Sequence, residues 1–166
     1  MIVEWMGARL VGSPFVPTTD RDPQVNAQRL QSIAGSGREA ARQLGVAEST
    51  LRGWRKGVRP KDPAANQRMV AMGRQLAAAR TGELARVRRD PNANGLVIKG
   101  IIRVSNDQRT RTILVGRHIP ADTMRRILTA WANGVDDSKV DAMLHRAITS
   151  YYAPTDFVSI QGVWFE

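Results

Sequence analysis

The chain has 166 residues, 42% of them hydrophobic, with no cysteine and with 25 Lys+Arg against 15 Asp+Glu, a formal net charge of +10 at pH 7. That length suits one or two small domains with a modest core, and the absence of thiols excludes disulfides and thiolate metal sites. The positive balance favours a polyanionic partner, while the lack of any run approaching about 18 apolar residues, or of a signal-peptide layout, gives the expectation of a cytoplasmic, nucleoid-associated protein with no membrane partner.

Residues 1–21 mix Met, Trp, Gly, Pro and Thr without sustained periodicity and are expected to form an N-terminal arm. Residues 22–90 read as an all-helical domain. Asp22 followed by Pro23 is a helix start, with Leu30, Ile33 and Ala34 as a short buried face before Gly35. Ser36 and Glu39 have the S-x-x-E spacing of a capping box, Ala41 and Leu44 share a helical face, and Gly45 supplies the positive φ that ends that helix. Val46 fits the corner, and Leu51 and Trp54 repeat the three-residue spacing on a second helix that Gly57 terminates. The whole stretch predicts a helix-turn-helix whose second helix turns Ser49, Thr50, Arg52, Arg55 and Lys56 outward, followed by Arg59 and Lys61 in a basic turn. These side-chain types read groove edges and bind phosphates. An amphipathic helical hairpin with a solvated charged face would show the same spacing. Ala47 stands where a capping Ser or Thr is expected, a departure worth about 1 kcal/mol.

Asp62 and Pro63 repeat the start signal, and Ala65, Met69, Met72 and Leu76 predict a long helix, with Leu84 and Val87 as its continuation and Gly73 and Gly82 as weak points. Arg68, Arg74, Arg80, Arg86, Arg88 and Arg89 along it either follow a phosphate backbone or form a solvated face. Residues 36–89 hold thirteen basic and four acidic residues, net +9, whereas residues 91–166 hold nine and seven, net +2.

The loop 90–95 marks an expected boundary, and residues 96–166 read as a β-β-α-α-β domain, making the chain α+β. Leu96, Ile98, Ile102 and Val104 share one strand parity, with Lys99, Arg103 and Ser105 on the other; Thr112 to Val115 is the second strand. Met124, Ile127, Leu128 and Trp131 form one helical stripe, and Val140, Met143, Leu144, Ala147 and Ile148 form another, capped by Asp136. Val158, Ile160 and Trp164 alternate with Ser159, Gln161 and Val163 in the last strand. The three-stranded sheet is expected to carry the helical pair on one face.

No phosphate loop, dinucleotide fingerprint, H-E-x-x-H or G-x-S-x-G sequence is present, so autonomous catalysis, a cofactor and a metal site are not expected. Asp136, Asp137 and Asp141 are explained by a helix start. The remaining chemistry is that of hydroxyls: Ser105, Thr110 and Thr112 lie among Arg103, Arg109 and Arg111, cations able to hold a nucleotide triphosphate or a DNA end. Ser and Thr in a turn otherwise bond their own backbone.

From about Gly35 to Glu166 the chain resembles the telomere terminal proteins of linear Streptomyces chromosomes and plasmids. The resemblance rests on AARQLGVAESTLRGW with the basic turn after it, then on GLVIKGIIRVSNDQR, RHIP, RILTAWANGV, LHRAITSYY and FVSIQGVWFE in that order. It implies binding of telomeric, double-stranded DNA through the N-terminal half, with a DNA polymerase and a telomere-associated protein as partners. It also implies that one hydroxyl accepts the first nucleotide and so primes replication or end patching, becoming covalently linked to the 5′ end. Ser105 stands at the position where that family carries a Thr, with Thr110 and Thr112 as alternatives. The alternative class is a helix-turn-helix transcriptional regulator or replication-accessory protein, a homodimer through its C-terminal domain.

Overall fold

A computed structural model describes residues 2–13, 16–18, 21–152 and 155–166. In chain order its elements are α1 (Ile2–Val11), α2 (Pro23–Ala34), α3 (Gly37–Leu44), α4 (Glu48–Arg55), α5 (Ala65–Thr81), α6 (Glu83–Arg89), β1 (Leu96–Val104), β2 (Asp107–Leu114), α7 (Val115–His118), α8 (Ala121–Ala132), α9 (Asp137–Tyr151) and β3 (Thr155–Phe165). Helix and sheet are mixed as expected, with the helices mostly first and the strands last.

Local signals set the helix ends. Asp22 Oδ1 accepts from the Gln24 amide at 2.8 Å, and Ser36 Oγ accepts from the Glu39 amide at 3.0 Å. Only half of the capping box forms, because the Glu39 carboxylate turns away to accept from Arg42 and from Gln43. At the end of α3 the positive φ of Gly45 (69°) lets the Val46 amide reach the Ala41 carbonyl at 3.0 Å and the Gly45 amide reach that of Arg42 at 3.2 Å. That double closure fixes the turn into α4. Ala47 caps α4 with no side-chain hydrogen bond.

Two apolar clusters organise the chain. The first joins α2, α3, α4 and the start of α5 through Leu30, Ala41, Leu51, Trp54 and Met69. The second gathers the sheet, α8 and α9, and also Met6 and Leu10 of α1, Ala78 of α5, and Leu84 and Val87 of α6. One expectation changes here. Residues 2–11 of the expected arm form a helix, because Ile2, Val3, Met6 and Leu10 find an apolar surface that only the folded second half provides. Residues 1, 14–15 and 19–20 of that arm lie outside the described residues. Helix α5 runs from the first cluster into the second. Gly73 does not interrupt α5; its missing side chain lets the Pro17 ring pack there, with Cγ 2.8 Å from where a Cβ would stand. Gly82, at φ 71°, does separate α5 from α6.

The sheet is antiparallel in the order β2-β1-β3. Leu96, Ile98 and Ile102 of β1 face the helices, as their shared parity predicts. The second strand is longer than expected: β2 starts at Asp107, and Ser105 and Asn106 alone form the turn, Val104 pairing with Asp107. The expected parity of β3 is overturned. Register shifts at Lys99/Gly100 and Ile101/Ile102 turn Val163 inward, fully buried, and leave Trp164 on the far face with Val158 exposed. Each extra residue in a bulge reverses the alternation that follows it.

Candidate nucleic-acid interface

The side of α4 that meets α2 and α3 is apolar. Leu51 is fully buried and Trp54 nearly so, which forces the remaining positions of this two-turn helix outward. Ser49, Thr50, Arg52 and Lys56 are exposed on it, and Arg59 and Lys61 are exposed in the turn that follows. Arg52 makes a 3.3 Å ion pair with Glu48, both side chains being about half exposed, so water and salt leave it free to exchange partners. Arg55 departs from the expected pattern. It is half-buried against the start of α3, where Gly37 leaves room for its guanidinium, and its buried Nε has no hydrogen-bond partner among the described residues. Its backbone carbonyl is held by Gln24 and Gln28, tying the end of α4 to α2.

The expected cluster of hydroxyls and cations around the β1–β2 hairpin does not converge. Residues opposite one another in an antiparallel pair share a face, so Thr110, opposite Ile101, and Thr112, opposite Lys99, lie with Arg103 on the face turned away from the helices. Arg109, opposite Ile102, and Arg111, opposite Gly100, lie on the helix side, and both pair with Asp107, at 2.8 Å and 2.5 Å. Alternation along β2 separates side chains that are neighbours in sequence. Arg103 makes only a 3.4 Å hydrogen bond to Gln108 and a 3.7 Å ion pair with Asp156. Ser105 stands apart from both sets at the hairpin tip, exposed, with φ 54°, a positive value that a non-glycine residue adopts at some expense in backbone strain.

The arginines of α5 and α6 are largely committed to structure. Arg74, one of those expected to follow phosphates or to face water, is wholly buried. It pairs with Asp137 at 2.6 Å, donates to the carbonyls of Pro17 and Trp131, and lies 5.1 Å from the centre of the Trp131 ring. Arg68 pairs with Asp62, Arg80 donates to the Ile33 carbonyl, and Arg86 is shared among Glu83, Asn94 and the Glu166 carbonyl. Arg88 donates to the Leu128 carbonyl, and burial lowers its pKa. Asp137 therefore serves Arg74, and Asp141 accepts from the Val3 amide, contacts that a helix-start explanation misses.

Sequence reading also missed the far face of the sheet as a unit. There Lys99, Arg103, Thr110 and Thr112 are exposed beside a half-buried Trp164. The parity of β1 pointed to it, but the bulges of β3 hid the tryptophan. Among the described residues no group of His, Asp and Glu is placed to hold a metal ion, and no helix is long and apolar enough to cross a membrane. No family model, curated protein or solved structure matches the chain.

Proposed function

We propose that the protein binds duplex DNA by laying α4 in the major groove, as a helix-turn-helix recognition helix, and that it offers the Ser105 hydroxyl as the acceptor of a first nucleotide. The observation that carries the first part is that α4 is anchored by Leu51 and Trp54 while Ser49, Thr50 and Arg52, and Lys56 just past its end, are left exposed. A helix fits the major groove, and a partly exposed guanidinium can exchange its carboxylate for a guanine edge or a phosphate. Arg59 and Lys61 extend the cationic surface beyond the helix.

The second part rests on the resemblance to terminal proteins and on the exposure of Ser105 at a hairpin tip, where a polymerase active site has access to it. In the reaction, Ser105 Oγ attacks the α-phosphorus of a deoxynucleoside triphosphate. A Ser–O–P bond forms, the α–β anhydride bond breaks, pyrophosphate leaves with its metal ions, and the hydroxyl proton passes to a base supplied by the polymerase. The nucleotide's 3′ hydroxyl is then the primer.

Binding is tested with labelled duplex across salt concentrations. A falling log K against log salt is expected, with Arg52→Ala weakening binding by about 1 to 3 kcal/mol where it reads a base; a flat salt profile and an unaffected variant would overturn the reading. Priming is tested by recovering the protein from its native replicon, digesting the DNA and weighing the peptide containing Ser105. A nucleotide adduct there, or on Thr110 or Thr112, is the expected result. Unmodified peptide together with a two-half-site footprint inside a promoter identifies the dimeric regulator instead.

A further inference from the structure

We propose that the face of the sheet turned away from the helices is a binding platform for single-stranded nucleic acid. It is distinct from α4 and does not depend on the duplex reading. The face carries apolar residues and cations in turn along its central strand β1. Val97, 2% exposed, lies on this face between Leu114 and Trp164 in the strand register. The Trp164 indole leans over Gly162, its ring carbons 3.6 Å and 3.9 Å from where a Cβ on that glycine would stand. Gly162 is the register partner of Lys99, so the Lys99 side chain leaves the same face of the sheet next to the ring. Ile101 is half-buried on the same face, and Arg103 follows it there.

Charge selects the occupant. Among the described residues Lys99 forms no ion pair, and the pair between Arg103 and Asp156 is long, so both cations are available to phosphates. They stand about 13 Å apart along β1 at the usual rise of about 3.3 Å per residue, tracking an extended chain laid along the strand. A half-buried aromatic with cations in line is the arrangement that holds unpaired bases by stacking and their backbone by charge. A duplex fits this face poorly, because the major groove admits a helix or a two-stranded ribbon, whereas here three strands lie side by side. Strand-separated DNA or RNA fits it.

The test uses the full chain and fluorescence anisotropy with labelled oligothymidylate, oligouridylate and a duplex of equal length at fixed salt. Lys99→Glu is expected to weaken single-strand binding at least tenfold, Lys99→Arg to restore it, and both to bind duplex within about twofold of the unaltered protein. Trp164→Leu is expected to weaken single-strand binding by about fivefold or more, the effect of losing one stacked base. Tryptophan fluorescence quenching by the oligomer should disappear in Trp164→Phe. Comparison of the two oligomers reports which sugar the face takes, and binding of either supports the platform. The proposal is overturned if the unaltered protein binds neither oligomer, or if Lys99→Glu binds them as well as the unaltered protein does. Arg52→Ala separates the two surfaces, since it should weaken duplex binding alone.

Discussion

Arg74 illustrates how far the environment of one residue can depart from its type. Its guanidinium is enclosed by three backbone carbonyls, a carboxylate and the face of Trp131, so its charge is compensated at almost every donor. Removing the side chain alone would take the buried cation away from the buried Asp137 carboxylate, so Arg74→Ala is expected to destabilise the protein by about 3 to 5 kcal/mol. Arg68→Ala, which deletes an exposed pair, should cost about 1 kcal/mol or less, and urea denaturation of both variants measures the contrast. Glu39 behaves in the opposite way at the surface. Hydrogen bonds from Arg42, and next from Gln43, hold its pKa down to about 2. A depressed carboxylate stabilises the folded state fully above its ordinary pKa of about 4.3 and loses that contribution as pH falls toward 2. An NMR titration of the Glu39 carboxyl should show its midpoint near the lower value, and Arg42→Ala should move that midpoint upward.

Among the elements, α4 begins without a side-chain cap. Its first residue follows Ala47, whose backbone is extended (φ −65°, ψ 145°) and suited to a cap, yet whose side chain has no acceptor for the free amides. Ala47→Ser is expected to stabilise the protein by about 1 kcal/mol, read as a raised midpoint in thermal denaturation. The neighbouring ends need no such repair, because Ser36 and Gly45 already supply cap and stop. The β1–β2 hairpin shows the converse relation between element and residue. Pairing through Val104 and Asp107 leaves just two residues for the turn, which obliges Ser105 to adopt a positive φ. Its exposure at the tip is thus a consequence of strand register.

For the molecule as a whole, the decisive packing joins the two ends of the chain. Helix α1 lies on the core built by β3, α9 and Trp131, and Gly7 contacts that indole closely enough that an added Cβ would stand 3.2 Å from it. Met6 is fully buried, so Met6→Ala should destabilise the entire protein by about 2 to 5 kcal/mol, whereas a substitution in a solvated arm would have no measurable effect on the unfolding transition. The outward side of α4 and the far face of the sheet remain uncovered, one helical and one flat.

Helix starts at Asp22, Ser36 and Asp136, stops at Gly35 and Gly45, and the inward stripes of α4 and α8 were legible in the sequence, because their causes lie within a few residues and repeat with the helical period. The inward parity of β1 was legible for the same reason. Only tertiary structure decided that α1 is a helix, that Arg74 and Asp137 meet 63 residues apart, that Arg109 and Arg111 are drawn away from Thr110 and Thr112, and that Trp164 faces outward. Each of these depends on a partner brought near by folding or on a bulge that shifts every later side chain, and neither leaves a periodic trace in the local sequence.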